Sequence, residues 1–206
     1  MLTYVFKAGP MIVPILAASV FGLAICLERF LTLRRFGRLD MEQFSKAVCG
    51  KVLLQKANEA VTLCRKHGAH PLAAMFVAAL ENRDLPREEL EKMLERMGNH
   101  AVHDLEKRLG GLAAIVGIAP LMGFLGTITG LIGAFMAWEK AGSDITVSAL
   151  AGGIYQAMLT TAAGLMVAIP LYLCYNFFVS RIKYYAHELS NYSSQLLEAL
   201  ARGRLL

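Results

Sequence analysis

Two long stretches of this chain contain no charged residue, Leu109 to Trp138 and Ile145 to Val179. Other things are scarce too. The 206 residues include a single Trp, and no cysteine pair has CxxC spacing. The five histidines form no clear metal set: His100 and His103 lie near one helix face, but no third ligand completes a site. The glycines of 123–133 lack the Lys-Ser/Thr ending of a phosphate-cradling loop. No alternating strand pattern and no low-complexity segment appears. These gaps argue against an enzyme, a metal site, a bound cofactor or a nucleotide-driven motor. With 56% hydrophobic residues and a mean hydropathy of +0.47, the chain is also too apolar for an ordinary soluble domain.

Each uncharged stretch is long enough to cross a bilayer, whose hydrocarbon core takes roughly 20 apolar residues. A third, Ala8–Leu27, lacks a basic leader and a small-residue cleavage site and reads as a retained anchor. Of the 21 Lys and Arg, only Lys7 and Lys140 fall outside Arg29–Arg108 and the tail after Val179. Basic residues favour the cytoplasmic side, so the expectation is N-terminus out and C-terminus in. That bias accounts for the net charge of +5 without a nucleic acid. Arg34, Arg35 and Arg38, just past the first span, suit anionic lipid head groups. Cys26, Cys49, Cys64 and Cys174 read as buried small hydrophobes in a reducing setting.

The expected fold is an all-α membrane protein with helices extending into a cytoplasmic bundle. Its divisions are 1–33 (N-terminus and first span), 34–108 (cytoplasmic helices), 109–138 (second span), 139–148 (outer loop), 149–179 (third span) and 180–206 (C-terminal helix). Residues 40–108 read as helical, punctuated by Gly68 and Pro71. Asp84 is the expected N-cap ahead of Pro86, with Glu88, Glu89 and Glu91 near the positive helix end. The helix that follows is expected to run unbroken from Pro86 to Trp138, roughly 80 Å at 1.5 Å per residue. Pro120 and Pro170 should bend their helices. The tail after Arg181 reads as mildly amphipathic, suited to packing on the bundle or to another protein.

Polar and small residues inside the spans carry the functional signal. Gly123, Gly126, Gly130 and Gly133 keep one face of the second span small, with Ala113 and Gly117 extending the row. Gly153 and Gly164 do the same in the third. Small faces allow the close backbone approach that holds helices together in lipid, within one subunit or between subunits. Thr127 and Thr161 each lie about 16 Å beneath the outer edge of their spans. Two hydroxyls at one depth could form a polar belt, or each could bond back to its own helix. Gln156 stands roughly 140° from Thr161 but only about 40° from Thr160, so it shares a stripe with Thr160; Tyr155 adds a further polar group. The Gln156 amide cannot carry a proton as a carboxylate does, and the middle of these spans holds no Asp, Glu, Lys, Arg or His, so a proton carrier must come from a partner.

The run Ala119-Pro-Leu-Met-Gly-Phe-Leu-Gly-Thr127-Ile-Thr-Gly130, with Gly153-Ile-Tyr-Gln-Ala-Met-Leu-Thr-Thr161-Ala-Ala-Gly-Leu-Met-Val-Ala-Ile-Pro170, resembles the MotA/TolQ/ExbB proton-channel family. Leu27-Glu28-Arg29, Arg34-Arg35 and Tyr175-Asn176 fit the same pattern. Three spans and a compact cytoplasmic part are similar to the ExbB/TolQ branch. The resemblance implies an inner-membrane pentamer whose second and third spans line a pore. An ExbD- or TolR-like dimer of single-span proteins would sit inside, each bringing an Asp to face Thr127 and Thr161. A TonB- or TolA-like protein would receive the work, and the energy would come from the proton motive force. The family often has Glu where this chain has Gln156, so no proton-binding role follows for that residue. Non-conducting scaffolding, a sodium-driven version, and envelope-integrity or motility clients are the alternatives.

Overall fold

The computed structural model of the chain describes residues 10–141 and 147–204, with side chains over 10–140 and 151–203. The N-terminal tip and much of the expected 139–148 loop lie outside the described residues. Seven helices are described: α1 (Ile12–Phe36), α2 (Met41–Leu53), α3 (Ala57–Lys66), α4 (Pro71–Glu81), α5 (Arg87–Glu106), α6 (Leu109–Ala141) and α7 (Val147–Arg204). Three stretches are long and apolar enough to cross a membrane, one each in α1, α6 and α7. The chain forms two compact units, one of 1–28 with 108–177 and one of 29–107 with 178–206. The sequence placed these divisions at 33/34, 108/109 and 179/180.

The first unit holds the apolar lengths of α1, α6 and α7. Leu112, Ala119, Ala134, Ala157, Ala168 and Leu171 are buried in it, whereas Leu121, Phe124, Met158, Met166 and Leu173 are exposed. Alanines make up most of this buried set while many large apolar residues face outward, as expected where lipid is as apolar as the core. Pro120 and Pro170 both sit inside continuous helices.

The second unit has a conventional core. Val48, Cys64, Leu72, Phe76, Leu94, Leu189 and Leu196 are almost fully buried, the last two from the tail of α7. The tail therefore packs on this bundle. Burial pushes the Cys64 thiol up to about 12, which keeps it protonated and inert. All four cysteines are free, and Cys26 and Cys64 are buried.

Three expectations are corrected here. The helix into the second span is broken: Lys107 is extended (φ −47°, ψ 136°) and Arg108 has φ 65°. A non-glycine residue in that region is held by its surroundings. Arg108 pairs with Glu28. The buried Arg29 donates from Nη1 to the carbonyls of Asp104 and Leu105 at 3.3 and 3.2 Å, satisfying two acceptors that the end of α5 leaves free. Residues 40–66 are not one helix either. Gln55 has φ 58°, with Gln55 N–H donating to Val52 O (3.0 Å) and Lys56 N–H to Lys51 O (2.9 Å), a left-handed helix stop of the Schellman type. Nor does Asp84 cap α5. Pro86 occupies the N-cap without a side-chain bond, because the residue before a proline is driven out of the helical region. Asp40, not singled out from sequence, is a true N-cap, its Oδ1 accepting from Gln43 N–H at 3.0 Å.

The N-cap of α4 is a histidine. His70 Nδ1 accepts from Leu72 N–H at 3.2 Å, so the proton sits on Nε2, which donates to the carbonyl of Phe36 at 3.2 Å. The ring is 8% exposed and lies against Phe36, centroids 4.4 Å apart. Protonating Nδ1 would turn the cap acceptor into a donor facing another donor. Burial accordingly holds the pKa of His70 below the usual 6.5, outweighing the opposing bond to Phe36. A depressed folded-state value means that the unfolded chain binds the proton more readily. The contribution is then fully present above about pH 6.5 and is lost as pH falls below it. Chemical unfolding in detergent should show stability declining from about pH 7 to 5. His70→Ala should remove about 1 kcal/mol at neutral pH and flatten that decline. An unchanged slope in the variant would assign the acid sensitivity to another group.

Candidate functional site

The site is built on the approach of α6 to α7. A Cβ placed on Gly123 would stand 3.0 Å from Thr160 O and from Thr161 Cα, both backbone atoms that cannot step aside. On Gly164 it would stand 2.6 Å from Ala119 O and 3.2 Å from Gly123 Cα. Gly126 faces the side chain of Thr160, Gly130 faces Ala157 at 3.0 Å, and Gly153 faces Ala134 at 2.6 Å. These glycines, on both helices, are therefore spent on packing within one subunit. Gly133 and Gly117 meet nothing within 4 Å among the described residues, so neither joins this packing within one subunit.

Close approach brings two hydroxyls together. Thr127 and Thr161 hydrogen-bond through their Oγ1 atoms. Each also reaches the carbonyl that the other would use in bonding back to its own helix. Thr127 Oγ1 lies 3.3 Å from Ala157 O, and Thr161 Oγ1 lies 3.1 Å from Gly123 O. Thr127 has a further contact to Gly123 O of its own helix at 3.3 Å. Simple back-bonding is thus not how Thr161 is satisfied. The pair forms a small crossed network in which either hydroxyl can donate to the other. Both side chains are half-buried, so one side of the pair stays reachable. Gly123 both admits the close approach and supplies the carbonyl that Thr161 bonds, which ties the packing residue to the polar one.

Thr160 behaves differently. It is 1% exposed, bonds back to Ala157 O at 2.8 Å and packs on Gly126. It stands one turn from Gln156, and its hydroxyl also comes within 3.5 Å of Gln156 O. Gln156 is half-buried, and its side-chain amide makes no hydrogen bond among the described residues; Tyr155 is 45% exposed. Neither joins the threonine pair. Thr129, which sequence reasoning passed over, bonds back to Leu125 O and Gly126 O on an exposed face. Arg34, Arg35 and Arg38 are all exposed near the end of α1. No cluster of three potential metal ligands occurs among the described residues.

The comparisons with known proteins agree with these helices. The model of the MotA/TolQ/ExbB proton channel family matches residues 67–191. The chain belongs to this family. It is 31% identical over 178 residues to a biopolymer transport ExbB homolog of Methanothermobacter thermautotrophicus, covering 86% of this chain and 62% of that protein. It is 29% identical over 166 residues to the biopolymer transport protein ExbB of Pseudomonas putida, covering 80% and 50% respectively. The Tol-Pal system protein TolQ of Haemophilus influenzae is 31% identical over 124 residues, covering 59% and 54%. The chain thus spans between half and two thirds of these relatives' own lengths. As a family member with three apolar stretches of spanning length, it is a membrane protein.

The packing makes a direct prediction. Gly164→Ala drives a methyl into backbone on the facing helix and should cost about 1–3 kcal/mol, seen as a lower melting temperature in detergent. Gly133→Ala fills open space and should leave the isolated subunit unchanged. Equal effects from the two substitutions would contradict this approach of α6 to α7.

Proposed function

We propose that the chain is one subunit of an inner-membrane stator that couples ion flow, most simply of protons, to mechanical work on a client in the envelope. The observation that carries this reading is the crossed Thr127–Thr161 pair, set about halfway through two spans that contain no Asp, Glu, Lys, Arg or His. Hydroxyls can pass a hydrogen bond along but do not hold a charge near neutral pH. A proton route therefore needs an acid from elsewhere, and a carboxylate inside a membrane is a functional group by default. In this reading several copies of the chain, five by family resemblance, surround the single spans of an ExbD- or TolR-like partner. The partner's Asp faces the hydroxyl pairs in turn. The N-terminus faces outward, and the basic bundle lies in the cytoplasm. One elementary charge crossing about 100 mV releases about 2.3 kcal/mol, enough to bias a rotation or a helix shift. The client is of the TonB-dependent import type, with Tol-type envelope maintenance or motility as the other members of the class. The reading requires no catalytic residue, cofactor or nucleic acid.

A second reading, a non-conducting scaffold that anchors a partner helix, is favoured by one observation. Gln156 stands where an additional carboxylate would assist conduction, and its amide has no partner within the described residues. The two readings separate in proteoliposomes holding this chain with its single-span partner. Under an imposed pH gradient, the stator reading expects proton flux that Thr127→Val and Thr161→Val each reduce at least 10-fold, the loss of two or more hydrogen-bonding steps. Thr→Ser at either position should restore it, and size-exclusion profiles should not change. Absence of flux in the native pair establishes the scaffold, and flux that follows a sodium gradient replaces the proton.

A further inference from the structure

Where α1 runs out, its basic residues do not simply point into solvent. Arg35 and Arg38 line one open cleft of about 610 Å³ together with Lys66 and His67 from the end of α3 and the turn after it. Thr32 and the buried His70 complete its polar lining, and no carboxylate contributes to it. Arg35, Arg38 and Lys66 form no ion pair among the described residues, whereas the adjacent Arg65 is engaged by Glu81 at 2.8 Å. His67 is fixed edge-on against Phe44, ring centroids 5.6 Å apart. Arg34, the third arginine of the cluster, does not line the cleft. Cations gathered from two helices around a cleft without a counter-charge are suited to a multivalent anion such as phosphate.

The approach to the cleft identifies what presents that anion. Leu31 is 48% exposed and precedes Arg35 by four residues along α1. Residues four apart share a helix face. Arg35 lies about 6 Å beyond Leu31 along the axis, the thickness of one head-group layer. An acyl chain lying on Leu31 would thus end in a phosphate at the cleft.

We infer that Arg35, Arg38, Lys66 and His67 form a discrete site for the phosphate of an anionic phospholipid in the leaflet at the end of α1. The site is independent of ion conduction, so its failure and that of the stator reading are separate results. Lys66 makes it more than a polybasic stretch, because it comes from a separate helix.

The test uses the full-length oligomer in non-ionic detergent, titrated with short-chain phosphatidylglycerol, with phosphatidylcholine of the same chain length, and with inorganic phosphate. Native mass spectrometry reads occupancy, and circular dichroism confirms helix content. Phosphatidylglycerol should bind in preference to both other probes. Lys66→Gln should weaken it about fivefold, and the Arg35→Gln/Arg38→Gln/Lys66→Gln triple variant on the order of 100-fold. Arg83→Gln removes an equally exposed charge outside the cleft and should leave binding unchanged. If the triple variant loses helix content, the Lys66→Gln and Arg83→Gln comparison decides alone. Three outcomes would overturn the site: phosphatidylcholine binding as well as phosphatidylglycerol, Arg83→Gln acting as strongly as Lys66→Gln, or inorganic phosphate binding as tightly as the lipid.

Discussion

Backbone-to-backbone approach of α6 and α7 at Gly123 and Gly164 is the constraint from which the site follows. In lipid, burying a leucine gains little, because the surroundings are equally apolar. Two helices hold together only where their surfaces come close enough for dispersion and polar contacts. Glycine allows that: the distances leave no room for a methyl at Gly164 and only a tight fit at Gly123. The same approach places Thr161 within reach of Gly123 O and of Thr127. Packing and polarity are one arrangement here, since loosening the first breaks the second.

The absence of charge in these spans gives the arrangement its meaning. A polar pair that only glued two helices would be satisfied wherever it stood, and each threonine could bond back to its own helix. Instead the two hydroxyls cross, and both remain half-buried. The second unit is organised by different means. Buried Arg29 and His70 tie α1 to the ends of α5 and α4 through backbone carbonyls and an N-cap. Those bonds fix the last turns of α1 within this unit, and with them the cleft that Arg35 and Arg38 share with Lys66.

How much of this was readable in the sequence depended on whether a feature is local. Apolar length announced the three spans, and Gly68 and Pro71 announced the turn between α3 and α4. The common depth of Thr127 and Thr161 followed from counting residues, though not their mutual bond, which depends on the rotation of one helix against another. The stops at Gln55 and at Lys107–Arg108 were illegible, because neither carries glycine or proline. At the second, the left-handed residue is held by Glu28 and the helix end by Arg29, both distant in sequence. Asp84 misled because the proline two residues later dictates where α5 can start. His70 was invisible as a cap, since histidine is rare there and its other nitrogen depends on Phe36. Which neighbours Thr160 and Gly133 meet was not legible either, because angular position on a helix does not say what lies opposite.

The most direct test is a cryo-EM map of the oligomer that the stator reading proposes, purified with the single-span partner that reading requires. The account predicts Thr127 and Thr161 of every copy in hydrogen-bonding contact and turned toward a central axis, with the partner's acidic residue at their level. Threonines turned to the annular lipid, around an axis holding no second protein, would contradict it.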